Sequence, residues 1–135
     1  MAGYSGTTLA KKLGIKEGFR VRTTYAPEHY RDLIGRVSNN IVISNRIATD
    51  IDMWHLFTTS ATELGSALPR IMGRIKQNGM IWVSWPKKSA KISTDVTEDT
   101  VRKLSLPLGL VDVKVCAVDE VWSGLKLVIR KELRK

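Results

Sequence analysis

Trp85-Pro86-Lys87-Lys88 is the most chemically suggestive run in this chain of 135 residues. An indole beside two ammonium groups offers a stacking surface and positive charge, the features that hold a nucleotide or a phosphorylated small molecule. The plainer reading is that Trp85 closes a buried strand and the lysines form a solvated loop. Asp119, Glu120 and Trp122 make a second cluster, placed to face the first across one sheet edge. Read plainly, it is a hairpin loop whose Trp122 packs back on the strands. The histidines, His29 and His55, lack the neighbours a catalytic pair requires. His29 meets Glu28 and Asp32 only along a helix, and His55 lies mid-strand between Trp54 and Leu56, where packing is the simpler role. Two histidines so placed suggest no metal site. Cys116, within a strand, reads as a small inert hydrophobe. No catalytic constellation emerges.

Strands and helices must position these side chains, and both are marked by periodicity and caps. Thr7 or Thr8 caps a short helix through Leu13, with Gly14 as its stop. Phe19 to Tyr25 alternates as a strand. Pro27 then stands as a first helical residue, with Glu28 favoured by the helix dipole, and the helix runs Glu28 to Arg36. Ile41 to Ser44 and Ile51 to Thr58 are strands. Ser60 and Glu63 have capping-box spacing, and Leu64, Leu68, Ile71, Met72 and Ile75 recur on one helical face. Pro69 inside that pattern predicts a kink or a helix in two pieces, and Asn78-Gly79 ends it. Met80 to Trp85 is nearly all apolar, as in a strand covered on both faces of a parallel sheet. Asp95 or Thr97 caps a helix bearing Val101, Leu104 and Leu108. Val111 to Val118 and Leu125 to Arg130 are strands joined by about six residues, too few for a crossover helix, so they pair antiparallel. The apolar segment Leu125 to Ile129 is expected at a sheet edge, open to a second copy.

This order of elements is an α/β pattern, and right-handed crossovers turn it into a mostly parallel sheet flanked by helices with an antiparallel C-terminal hairpin. Residues 1–135 read as one domain, with 1–18 as an N-terminal arm and short helix. With 43% apolar and 26% charged residues, wholesale disorder is excluded. A single cysteine excludes an internal disulfide. No apolar run approaches the roughly 18 residues of a membrane span, and the opening Met-Ala-Gly-Tyr-Ser-Gly has no apolar signal region. A soluble cytoplasmic protein without membrane contact is expected. Lys and Arg outnumber Asp and Glu by 22 to 13, a net +9, which suits an anionic ligand, an acidic protein partner or nucleic acid. The charges are spread along the chain, and no run interleaves them with aromatic residues as a single-strand platform would.

Two resemblances follow from particular residues. Asp52-Met53-Trp54, Lys76-Gln77-Asn78-Gly79 leading into Met80-Ile81-Trp82-Val83, and the closing pair Val111 to Val118 and Leu125 to Arg130 are similar to the second half of the class I methyltransferase fold. That implies a reduced Rossmann-like, methyltransferase-like sheet. Almost the whole chain also resembles a family of small bacterial proteins grouped as a domain of unknown function. The residues that carry this are Tyr4-Ser5-Gly6-Thr7, Leu9 to Lys16, Ala26-Pro27, His55-Leu56-Phe57, Trp82 to Lys88, Gly109 to Lys114, Asp119 and Trp122-Ser123-Gly124-Leu125. This second resemblance implies a bacterial cytosolic protein and assigns no reaction; Thr8 departs from it, standing where Pro is expected.

Open α/β sheets bind ligands outside the carboxyl ends of their strands. That rule selects Thr24, Tyr25 and Glu28 after the first strand, Arg46 after the second, and Thr59 and Ser60 after the third. It adds Trp85, Lys87 and Lys88 after the fourth, and Asp119 and Trp122 in the hairpin. A dinucleotide or adenosyl site needs small residues after its first strand so that main-chain N–H groups can approach the ligand. Here the turn reads Thr23-Thr24-Tyr25-Ala26-Pro27-Glu28, without glycine, and Pro27 lacks an N–H. Ser44-Asn45-Arg46 puts no carboxylate where a ribose would be held. Both departures argue against S-adenosylmethionine and NAD, and the segment falls about one helix and one strand short of a full methyltransferase. The leading expectation is a non-enzymatic binding or regulatory domain for an anionic ligand or partner, its cofactor left open. The alternatives are a degenerate methyltransferase-like enzyme with a nucleotide or S-adenosylmethionine pocket, and nucleic-acid binding driven by charge.

Overall fold

The computed structural model describes residues 8–135; the Tyr4-Ser5-Gly6-Thr7 motif and any cap from Thr7 lie outside the described residues. In chain order the elements are α1 (Leu9–Leu13), β1 (Arg20–Thr24), α2 (Tyr30–Ile34), β2 (Val42–Ser44) and β3 (Ile51–Phe57). There follow α3 (Ala61–Met72), β4 (Ile75–Pro86), α4 (Glu98–Ser105), β5 (Leu110–Ala117) and β6 (Trp122–Ile129). The strands form one sheet in the order β2-β1-β3-β4-β6-β5. β1 to β4 run parallel, and β6 is antiparallel to both β4 and β5. The reduced Rossmann-like sheet with its C-terminal hairpin is what the structure shows.

Alternation along the central strands builds a core on each face. Trp54, Leu56, Ile81, Val83 and Trp85 face α3 and α4. Val21, Met53, Phe57 and Trp82 face α1 and α2. The caps act locally. Thr8 accepts the Lys11 N–H, and Gly14 closes α1 in the left-handed region at φ 84°. Ser60 accepts the Glu63 N–H. Glu63 does not return the bond to Ser60; it accepts from Thr58 Oγ1, which in turn accepts the Ser60 N–H. Thr97 and Thr100 form the reciprocal box of α4, while Asp95 caps α3 instead, accepting the Ala61 N–H at 2.7 Å. No helix among the described residues is long and apolar enough to cross a membrane.

Four expectations are corrected. α2 begins at Tyr30 and not at Glu28: the Tyr30 N–H closes a tight turn onto the Pro27 carbonyl, and the first helical bond is Leu33 to His29. α3 runs unbroken through Pro69. Leu64, Leu68 and Ile71 stay buried on both sides of the ring, so packing of that face carries the helix past the one hydrogen bond that proline removes. The helix stops at Met72, and Ile75, Asn78 and Gly79 belong to β4. Finally, β6 lies inside the sheet and β5 forms the edge. Leu125, Leu127 and Ile129 are buried, and an apolar arm covered this fully gains most by inserting between β4 and β5.

A bulge explains the glycine in β4. Ile51 pairs with Ile75 and Met53 with Met80, so β4 has extra residues between the two pairs. A Cβ on Gly79 would lie 3.0 Å from the carbonyl oxygens of Asp52 and Lys76 and 3.2 Å from that of Ile51. These are backbone atoms and give way reluctantly. Gly79→Ala should therefore lower stability by about 1–3 kcal/mol, measured by urea unfolding; an unchanged midpoint would show that the bulge opens freely.

Candidate functional site

The four parallel strands end on one edge, and the residues that follow them meet there. After β1 the chain turns at Tyr25 with φ 57°, a left-handed conformation costing a residue with a Cβ about 1–2 kcal/mol. Its ring gains little burial in return, being 71% exposed. Ala26-Pro27-Glu28 then carries the chain into α2. Between this turn and the end of β2 lies an open cleft of about 480 Å³ whose walls include Thr23, Glu28, Arg31, Ser44, Asn45 and Arg46. Arg31 reaches across from α2 and donates to the Ile43 carbonyl at 2.6 Å. The Arg46 N–H bonds Ser44 Oγ, which turns the chain sharply at the end of β2. Two guanidiniums and one carboxylate leave the cleft positive. It lies at the carboxyl ends of β1 and β2, the edge at which open α/β sheets bind ligands.

A second group closes the hairpin against β4. Lys87 Nζ donates to the Asp119 carbonyl at 2.6 Å, and the Lys87 N–H bonds the Val121 carbonyl. Asp119 Oδ1 accepts the N–H groups of Val121 and Trp122, and its Oδ2 lies 3.2 Å from His29 Nε2. Lys87 and Asp119 thus hold the loop, while Lys88 is exposed in a short 3-10 turn. Trp85 offers no stacking surface: only 8% exposed, it packs in the core under α3 and α4. Trp122 meets Phe57 edge-on at 5.1 Å.

The remaining candidates separate. Glu28 and Arg46 line the cleft, His29 next to Glu28 reaches Asp119, and Tyr25 lies outside the cleft, at a pocket on the other face of the sheet. Thr24 lies on the other face of β1, where its Oγ1 accepts from Trp54 Nε1. Ser60 caps α3, and the Thr59 carbonyl accepts from Thr94 Oγ1. Arg31 is the cleft residue that sequence reasoning missed. No local spacing marks it, because Glu28 precedes α2 and does not share a helical face with Arg31.

Directly beneath the cleft floor is a buried polar chain. Tyr30 Oη lies 2.8 Å from His55 Nδ1, and His55 Nε2 lies 2.7 Å from Ser84 Oγ. One ring nitrogen donates and the other accepts, whichever tautomer is present. Burial drives the His55 pKa down to about 3 and pushes the Tyr30 phenol well above its usual value. His55 and Ser84 are fully buried, so this serine–histidine pair is sealed from any substrate. Its role is to satisfy polar groups in the core.

No family model matches this chain, and no curated protein does. Solved structures resemble its fold. One is the fibrillarin pre-rRNA processing protein of Methanococcus jannaschii, at 12% identity and TM-score 0.50 over 83% of this chain and 56% of that one. Another is a protein of the NADB-Rossmann superfamily from Streptococcus agalactiae, at 10% identity and TM-score 0.56 over 96% of this chain and 71% of that one. A third is the fibrillarin of Aeropyrum pernix solved with natively bound S-adenosyl-L-methionine, at 16% identity and TM-score 0.52 over 89% of this chain and 73% of that one. The chain spans little more than half of the Methanococcus protein. These likenesses establish the methyltransferase-like fold, and the resemblance to the small bacterial family rests on its motif residues alone.

Proposed function

We propose that this protein is a methyltransferase-like domain, spanning residues 1–135, that binds a nucleotide-type ligand in the cleft between β1 and β2. Arg31 and Arg46 would hold its phosphates, and Glu28 would accept from its ribose hydroxyls. The observation that carries this reading is the convergence of two guanidiniums and one carboxylate in a cleft of about 480 Å³ at the carboxyl edge. Guanidinium forks match phosphate oxygens in both charge and geometry.

S-adenosylmethionine, the ligand of the Aeropyrum fibrillarin, fits this donor set poorly. Tyr25-Ala26-Pro27 stands where the main chain would approach the ligand, and Pro27 has no N–H to offer. A sulfonium cation would also lie beside Arg31 and Arg46. No methyl-transfer step follows from these residues.

Calorimetric titration with ADP and with S-adenosylmethionine tests the reading. ADP should bind in the micromolar range, and Arg31→Glu with Arg46→Glu should weaken it by about tenfold or more, since each removes a charge-assisted contact. Heat with S-adenosylmethionine but none with ADP would replace this reading with a methyl-donor pocket. Unchanged ADP affinity in the double variant would move the ligand out of the cleft.

A further inference from the structure

The opposite face of the sheet carries a separate pocket. It lies between β1, β3 and α3, with a volume of about 190 Å³, below the roughly 300–1,000 Å³ of sites for drug-sized ligands. Its occupant is therefore small. Trp54, Leu56, Ala67 and Ile71 provide an apolar floor, and Arg22, Arg70 and Arg74 stand around it with Glu63. Three guanidiniums against one carboxylate leave the pocket with two excess positive charges.

Arg22 is held for a purpose its own contacts do not exhaust. Its guanidinium stacks 4.5 Å above the Trp54 ring, and Nη1 donates to the Ile47 carbonyl at 2.7 Å. Its Nε is buried and finds no acceptor among the described residues. A buried donor left without an acceptor costs about 1–3 kcal/mol. Burial first, and then the positive charge of Arg74, disfavour the Arg22 cation. Like charges are thus brought together under partial desolvation, an arrangement that an anion would relieve. Glu63 makes no ion pair with them among the described residues; its Oε1 accepts from Thr58 Oγ1 at 2.9 Å. Tyr25 stands at the mouth, its exposed ring held there by the left-handed turn.

We propose that this pocket binds a small organic phosphate monoester, with the phosphate among Arg22, Arg70 and Arg74 and the organic group against Trp54, Leu56 and Tyr25. The charge argues for phosphate: a monoester carries close to two negative charges at neutral pH, which balances the excess. The apolar floor argues for an ester over the free ion. This site shares no guanidinium with the β1/β2 cleft, and its assignment does not depend on the ligand proposed there.

The test titrates the full chain with phenyl phosphate, inorganic phosphate and benzyl alcohol by calorimetry. Phenyl phosphate should bind more tightly than inorganic phosphate, and benzyl alcohol should not bind. Arg70 and Arg74 are exposed, so Arg70→Glu with Arg74→Glu leaves the core intact and should weaken phenyl phosphate by about tenfold or more. Arg31→Glu with Arg46→Glu should leave that affinity unchanged. The assignment is overturned by absence of phenyl phosphate binding, by equal affinity in the Arg70/Arg74 variant, by loss in the Arg31/Arg46 variant instead, or by benzyl alcohol binding as tightly.

Discussion

Replacing Trp82 with alanine should lower the free energy of unfolding by about 3–5 kcal/mol, the usual cost of deleting a large core aromatic ring. Trp82 is fully buried at the centre of β4, and its ring joins β4 to the face that receives α1. Its Nε1 donates to the Leu13 carbonyl at 2.9 Å, which satisfies an otherwise open group at the end of a five-residue helix. Gly124 on β6 makes room for the ring: a Cβ there would lie 3.2 Å from Trp82 Cε3. Alanine would leave both a cavity and an unpaired carbonyl. Against a typical total stability of about 5–15 kcal/mol, the variant should be only marginally folded. Trp82→Phe separates the two effects. It keeps most of the volume and loses the hydrogen bond, so it should cost about 1–3 kcal/mol and speed amide exchange selectively in α1. A loss below about 1 kcal/mol for Trp82→Ala would mean that the site collapses around the missing ring.

Acidification is the second large effect. His55 is fully buried and neutral, with its pKa held down to about 3 by desolvation, whereas the unfolded chain titrates near pH 6.5. Between those values the unfolded state binds the extra proton, so stability rises with pH and falls on acidification. The loss should reach about 2 kcal/mol between pH 6.5 and pH 4.5. Glu17 and Asp112 also have lowered pKa values, from side-chain hydrogen bonds to Ser38 and Arg102 respectively. Their contributions are lost as pH falls from the ordinary carboxylate range towards their lowered values, mostly below this window, so His55 dominates within it. Urea unfolding at several pH values reads the slope. His55→Gln should be less stable at pH 7 and nearly flat from pH 6.5 to 4.5. An equally steep limb in that variant would place the titrating group elsewhere.

The placement of chemistry on the carboxyl edge was readable because it follows from strand direction alone. Tyr25, Glu28 and Arg46 could be named from the strands that precede them. Their company could not. Arg31 joins the cleft from α2 by a bond to the Ile43 carbonyl, a contact between residues twelve apart in the chain. Trp85 and Trp122 look alike as loop-edge aromatics, yet one is sealed in the core and the other packs edge-on against Phe57. Arg70 and Arg74 look like the solvated face of a helix. Their meeting with Arg22 depends on how α3 lies across β1 and β3.

Local chemistry settled what depends on near neighbours. Thr8, Ser60 and Thr97 start helices because a hydroxyl reaches an N–H three residues on, and Gly14 stops α1 by its freedom at positive φ. The short link between the last two strands forced them antiparallel. Packing between distant segments settled the rest. Pro69 stays within a helix because Leu68 and Ile71 are buried against the sheet. Gly79 belongs to a strand because three carbonyls crowd it. Leu125 to Ile129 lies inside the sheet because Leu125, Leu127 and Ile129 are buried in the core on one face while Val128 is partly covered on the other. Burial energy accrues only when remote surfaces meet, and it then exceeds local preferences of about 1 kcal/mol for ordinary residues and about 3 kcal/mol for a proline in a helix.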